Sequence, residues 1–241
     1  MRVPWVFMYH SVEEYQWDPY LITVDPDRFD RQMRWLRRTG RRGVSMRELL
    51  DARARGRGRS LVGLTFDDGY ADFAEQVVPV LRRYGFTATV FVVAERIGGT
   101  NEWEDGGPEK KIMTAERIRE VAEAGMEVGS HGLRHIHMAA APESDVRAEL
   151  VRSKQILESI VDTEVPGFCY PYGDANRFVV EATRQIGYDY ACAVGHSELD
   201  SRHAIPRTYV GDRDADLRLT AKRLRHRLIH RNPVPALALG A

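Results

Sequence analysis

Two adjacent carboxylates stand where an apolar strand stops. The segment LTFDDGYAD (Leu64–Asp72) runs from apolar and β-branched residues into Asp67, Asp68 and Gly69. Asp-Gly alone is an ordinary turn pair. A second segment, SHGLRHIH (Ser130–His137), places His131 and His135 four positions apart. At that spacing a helical face, or a tight turn after a strand, aims both imidazoles the same way. One carboxylate and two imidazoles suit Zn2+, with Co2+, Ni2+ or Mn2+ as substitutes, and three protein ligands leave a position open, as a catalytic ion requires. Water in that position falls to a pKa of about 7 and becomes a nucleophile. A second carboxylate beside the ligand can take its proton. One Asp then binds and the other acts as base; the spacing leaves open which does which. His137 falls outside the spacing and reads as a loop residue.

These residues need elements to bring them together. Apolar runs recur at Val3–Tyr9, Leu61–Phe66, Thr87–Val93, Met126–Gly129, Gly167–Tyr172, Tyr188–Val194 and Ala204–Val210. Between most of them lie helical patterns. Asp25 caps a helix that begins at Pro26, with Phe29, Met33 and Leu36 on one face and Gly40 as its stop. Val77, Val80, Leu81 and Tyr84 mark a second, in which Pro79 demands a kink or a late start. Thr114 caps a third, Glu143–Ile160 is a fourth, and Asn176–Ile186 a fifth. Strands alternating with helices predict parallel β/α units, and about seven of them suit a closed or nearly closed barrel better than the doubly wound sheet that shares this alternation. In such barrels reactive groups collect at the C-terminal strand ends. Besides the two segments above, those ends hold His10 in MYHSV, the YPYGD segment from Tyr170, and Arg207 after Pro206.

Composition narrows the class of protein. The chain has 241 residues, 43% of them hydrophobic, which fits one large domain over residues 1–230 and a loosely held tail over 231–241. Lys+Arg and Asp+Glu both number 35, so general attraction to nucleic acid is not expected. No apolar run is long enough for an integral membrane segment. The opening MRVPWVFMYH lacks the apolar stretch of a secretory signal, so the expectation is a cytoplasmic protein. Cys169 and Cys192 lie in apolar segments and read as reduced core residues. RARGRGRS (Arg53–Ser60) reads as a solvated loop.

Taken in order, TFDDGY (Thr65–Tyr70), SHGLRH (Ser130–His135) and YPYG (Tyr170–Gly173) resemble the leading motifs of the polysaccharide deacetylases, the NodB-homology or carbohydrate esterase 4 family. FMYHSV (Phe7–Val12) and IPRTYV (Ile205–Val210) resemble flanking motifs of its bacterial branch. The resemblance implies an α/β fold, a distorted, NodB-like (β/α)7-8 barrel, and metal-dependent removal of N-acetyl, sometimes O-acetyl, groups from sugars. It implies that Asp67 is the base, that Asp68, His131 and His135 are the metal ligands, and that the Tyr172 backbone N–H helps hold the oxyanion.

Three departures from the pattern carry further expectations. Gly132 stands where the second motif usually has Ser or Thr. Cys169 stands where the third often has an arginine that steadies the base, and Arg207 is expected to reach in instead. None of His196, His203, His226 or His230 sits in the late motif that supplies the acid; His10 is expected to take that role, as in permuted relatives acting on poly-N-acetylglucosamine. Trp103, Trp17 and Tyr172 are candidates to stack on sugar rings of a carbohydrate substrate. The rival readings are a same-fold hydrolase of another acyl group (O-acetyl or N-formyl), opening of a cyclic amide, and a carbohydrate-binding pseudoenzyme.

Overall fold

The computed structural model describes residues 3–230; the tail over 231–241 that the sequence sets apart lies outside the described residues. The chain order is β1 (Val6–Tyr9), β2 (Ser11–Val12), β3 (Thr23–Val24), α1 (Pro26–Arg38), β4 (Arg42–Val44), α2 (Met46–Ala54), β5 (Leu61–Phe66), α3 (Val78–Tyr84), β6 (Thr89–Val92), α4 (Ala115–Glu123), β7 (Glu127–Ser130), α5 (Glu143–Val161), β8 (Gly167–Cys169), α6 (Arg177–Gln185), β9 (Tyr190–Cys192), β10 (Thr208–Tyr209) and α7 (Asp216–Ile229). Eight strands form one sheet in the order β10–β1–β5–β6–β7–β8–β9, with β4 against the first half of β5. Every recorded pair is parallel. The segment from Ile205 closes the curl. Ile205 bridges Cys192 of β9, and Thr208 pairs with Phe7 of β1. The result is the distorted barrel expected from the alternation, not an open doubly wound sheet.

Helix ends follow the local chemistry. The Asp25 side chain accepts from the Arg28 N–H, Thr114 from Arg117 N–H and Asn176 from Val179 N–H, each satisfying an amide that the first turn leaves free. Phe29, Met33 and Leu36 are fully buried along one stripe of α1. Pro79 acts as expected. A π-helical turn over Phe73–Val77 precedes α3, whose second residue it is. Five elements have no counterpart in the sequence pattern, among them the two-residue strands β2 and β3. β4 is three residues long, α2 follows it at once from its Ser45 cap, and α7 buries only Leu219.

Successive strand residues face two apolar clusters. Phe7, Val90 and Phe168 belong to the larger one, under the helices; their neighbours Val6, Phe91 and Cys169 belong to the smaller one with Cys192 and Ile205. That is the period-2 alternation of a strand buried on both faces. Cys169 and Cys192 are register partners, buried and free.

The strand ends are level. Tyr9 pairs with Phe66 and its carbonyl accepts the Asp67 N–H at 3.0 Å, so the next residue, His10, stands beside Asp67. His131 N–H donates to Val92 O at 2.9 Å and Tyr170 N–H to Cys192 O at 3.2 Å. The loop after β1 is tied to the loop after β5. Ser11 Oγ donates to Asp72 Oδ2 at 2.6 Å, and Lys110 Nζ donates to Ser11 Oγ at 3.0 Å.

Burial pushes the Asp72 carboxyl up to about 6, well above its ordinary value, and its Oδ1 has no partner. A carboxyl whose folded pKa exceeds its unfolded one stabilises most below the unfolded value and loses that contribution as pH rises towards 6. Asp72→Asn removes the penalty of ionisation, roughly 3 kcal/mol at neutral pH. Urea unfolding from pH 3.5 to 7.5 should show the variant gaining on the parent protein as pH rises to about 6 and holding that gain above it. A difference independent of pH would contradict the assignment.

Candidate metal centre and active site

A left-handed turn aims the two carboxylates apart. Asp68 has φ 71° and Gly69 φ 78°, and Gly69 N–H donates to Asp67 O at 2.9 Å. A Cβ on Gly69 would crowd the Val92 Cα at 3.1 Å and be strained at this φ, so the turn favours glycine. Asp68, His135 and Tyr172 are three of the five non-glycine residues with positive φ among the described residues, and all three are at this site. Such strain persists where the surrounding structure over-determines it.

Asp67 continues the inner face of β5. The Arg207 guanidinium grips it with both prongs, Nη1 to Oδ1 at 2.6 Å and Nη2 to Oδ2 at 2.8 Å. Arg207 is itself held by Ala193 O at 3.0 Å and Thr65 Oγ1 at 3.1 Å. Its Nη2 also lies 3.1 Å from Cys169 Sγ. Burial alone would raise the Asp67 pKa; the Arg207 charge and fork, with His131 and His10 adding, outweigh it and hold the carboxyl below its ordinary value. Arg207 thus occupies the space that the Cys169 thiol cannot fill with charge. His10 Nε2 stands 3.9 Å from Asp67 Oδ2, and its Nδ1 is buried without a partner.

Asp68 turns to the imidazoles. Its Oδ1 is 3.4 Å from His131 Nε2 and 3.4 Å from His135 Nε2. Donors about 2.1 Å from one tetrahedral ion stand roughly 3.4 Å apart. His131 Nδ1 donates to Cys169 O at 2.8 Å, which leaves the Nε2 lone pair facing Asp68. Burial works against charge at both rings. It prevails at His135, whose pKa is lowered, while the Asp68 bond and the two Asp charges raise that of His131. Asp68 is held well below its ordinary value because the two imidazoles that face it outweigh its burial. Three buried donors converging on one point fit a divalent metal ion. The pair does not lie on a helix: Gly132 at φ 82° and His135 at φ 63° make the tight turn that aims both rings.

Asp67, His131 and Cys169 also bring donor atoms close together. A cation there would meet the Arg207 guanidinium, and burial holds the Cys169 thiol far up, in its neutral form. The Asp68 group has neither obstacle.

Aromatic rings wall the His135 side. Trp103 stacks on His135 at 4.6 Å and 22°, and Tyr172 meets it edge-on at 4.5 Å. His137, exposed in its loop, stacks on Tyr172 at 4.0 Å. Tyr172 itself is 48% exposed, in a turn closed by the Gly173 N–H bond to Tyr170 O at 2.9 Å. The structure does not bring Trp17 into this group. It stands 59% exposed on the loop between β2 and β3, which turns it to solvent, and the neighbouring Tyr20 instead reaches the Trp103 loop through its hydroxyl bond to Asp105 O. The remaining histidines are elsewhere: His203 bonds Tyr188 O, His226 lies near Trp5, and His196 pairs with Asp200 and faces His230. Sequence reasoning missed Thr65 and the buried Glu149, which packs beneath the His131–His135 turn. Nothing in their spacing ties them to the site.

The polysaccharide deacetylase family model matches residues 54–191, more than half of the chain. The chain belongs to the polysaccharide deacetylase family. The matched stretch contains Asp67, Asp68, His131, His135 and Tyr172; His10 and Arg207 lie outside it and enter the centre through the barrel. The chain is 26% identical over 185 residues to the YxkH protein of Bacillus subtilis, covering 76% of this chain and 61% of that protein. It is 25% identical over 248 residues to a poly-beta-1,6-N-acetyl-D-glucosamine N-deacetylase of Escherichia coli, covering 85% and 36%. It therefore spans less than two thirds of either relative. Among solved structures, the Streptococcus pyogenes deacetylase PplD superposes with a TM-score of 0.77 at 21% identity, covering 92% of this chain and 98% of that one, which establishes the shared fold.

Removing one member of a buried ion pair strands the other. Arg207→Met should lower stability by about 3–5 kcal/mol, and Arg207→Lys by less, because a point charge remains without the fork. Urea unfolding at pH 7 measures both. Equal stability of Arg207→Met and the parent protein would mean that the pair does not hold this face of the barrel.

Proposed function

We propose that the protein is a metal-dependent deacetylase that hydrolyses N-acetyl groups of amino-sugar glycans of the N-acetylglucosamine type. One observation carries this reading. A carboxylate kept ionised by a bidentate arginine stands next to a second carboxylate that shares a point with two imidazole nitrogens, and a further imidazole lies 3.9 Å from the first. Family membership and the printed activity of the Escherichia coli relative support the substrate class.

Asp68, His131 Nε2 and His135 Nε2 would hold the metal, with zinc as the ion best suited to one oxygen and two nitrogen donors. When bound, it supplies Lewis-acid polarisation of the acyl carbonyl and a nucleophile at neutral pH. The residues of the chain do the rest. Asp67 takes the proton of the attacking nucleophile. Arg207 makes it a weak base, which suffices for a proton already acidified to a pKa of about 7. Oδ1 accepts from the fork and from the Cys169 thiol at 3.6 Å, while Oδ2 spends one lone pair on the fork and keeps another for that proton. His10, 3.9 Å from Asp67 Oδ2, gives a proton to the leaving nitrogen. The Tyr172 N–H adds a donor at the developing oxyanion, an interaction worth a few kcal/mol in enzymes generally. Trp103 and Tyr172 shield His135 from water, and the exposed part of the Tyr172 ring is available to a sugar face. The bound Arg207 weighs against the pseudoenzyme reading, because a buried pair of this kind keeps Asp67 charged and placed for proton transfer. Among the described residues no helix is long and apolar enough to cross a membrane.

Acetate release from N-acetylglucosamine oligomers should need zinc or cobalt and vanish with a strong chelator. Asp67→Asn should keep one metal per chain yet lose about 10²–10⁴-fold in turnover, and His10→Ala should lose a similar factor. Full turnover in Asp67→Asn would remove the base assignment. Release of formate, or of acetate from O-acetylated sugars alone, would redirect the substrate class.

A further inference from the structure

We propose that Glu149 is a positioning residue for the metal centre: its buried carboxylate fixes the turn between the two imidazole donors and so sets metal affinity. The inference rests on the metal-centre reading above. Glu149 lies in the first half of α5 and is fully buried. Buried glutamates need strong partners, and this one has three. Oε2 accepts the Leu133 N–H at 2.7 Å and the Arg134 N–H at 2.9 Å, while Oε1 accepts Arg134 Nε at 2.8 Å. Successive backbone N–H groups converging on one anion form a nest. Here the anion is a side chain of the protein itself.

The rest of the turn is held from the same helix and from the opposite side. Gly132 N–H donates to Ser130 Oγ at 3.2 Å, and Ser130 Oγ donates to Ser153 Oγ on α5 at 2.8 Å. The carbonyls of Gly132 and Leu133 accept from Ala94 and Glu95 at 3.0 and 2.9 Å. His135, in its left-handed conformation, follows this clamp directly. Gly132 is what makes room. At φ 82°, a Cβ there would stand 3.1 Å from Glu149 Oε2, and that oxygen is pinned by two N–H donors. A side chain at position 132, such as the hydroxyl residue usual in the motif, would crowd this carboxylate and adopt a left-handed backbone as well. An amide in place of the carboxylate keeps the volume but offers one acceptor oxygen and loses the charge that strengthens all three bonds.

Co2+ titration followed by its visible absorption tests this on the full-length protein, together with thermal unfolding. Glu149→Gln should fold and bind Co2+ about 10–100-fold more weakly, as loss of residues that orient metal ligands typically does, with shifted absorption bands. Arg134→Met, at a side chain that is 44% exposed, should weaken binding about threefold or more by leaving Glu149 without its cation. It carries the test if Glu149→Gln does not fold. Parental affinity and spectrum in folded Glu149→Gln, or in Arg134→Met where Glu149→Gln is unfolded, would overturn the proposal and leave the metal centre intact. Absence of Co2+ binding in the parent protein would instead defeat the metal-centre reading itself.

Discussion

The buried fork between Arg207 and Asp67 is the constraint on which the site depends. Two adjacent carboxylates in a dry environment repel each other, and burial alone would push one of them to take up a proton. The protein separates them. The turn at Asp68–Gly69 sends Asp67 to a guanidinium and Asp68 to a pair of imidazoles. Each anion then faces a distinct electropositive partner, and both are held ionised although both are buried. Without the fork, the charge on Asp67 would be left to the imidazoles of His10, 3.9 Å away, and His131.

That fork exists only because the barrel closes. Asp67 and Arg207 lie 140 positions apart in the chain. They meet because the segment from Ile205 bridges β9 on one side and continues as β10 beside β1 on the other. Barrel closure and the electrostatics of the site are therefore one event. The two cysteines fit the same picture: as small register partners on the inner face, they leave room for the guanidinium to cross beneath the strand ends. A larger side chain at position 169 would compete with Arg207 for that space.

Much of this arrangement was legible in the chain. The strand-ending DDG and the His131–His135 spacing named the donors, because metal coordination restricts residue type and spacing severely. Helix limits were legible where a side chain caps them, as at Asp25, Thr114 and Asn176. Other features left little trace. β4 is too short for a pattern, α7 has almost no buried face, and the separation of Trp17 from the Trp103–Tyr172 group depends on the course of the loop between β2 and β3. Which Asp serves which partner depended on the family motif, since a one-residue choice of face is set by the turn geometry. Glu149 was invisible for a different reason. A glutamate on a helix is normally solvated, and only the fold reveals that this one is wrapped by backbone amides.

The most direct measurement of the central claim is the position of a bound ion. Crystals grown with zinc, with diffraction data collected on both sides of the zinc absorption edge, should show one anomalous peak about 2.0–2.2 Å from His131 Nε2, His135 Nε2 and a carboxylate oxygen of Asp68. The Arg207 fork on Asp67 should be unchanged. A peak between Asp67 and Cys169 with Arg207 displaced, or no peak at these strand ends at saturating zinc, would contradict the division of labour between the two carboxylates.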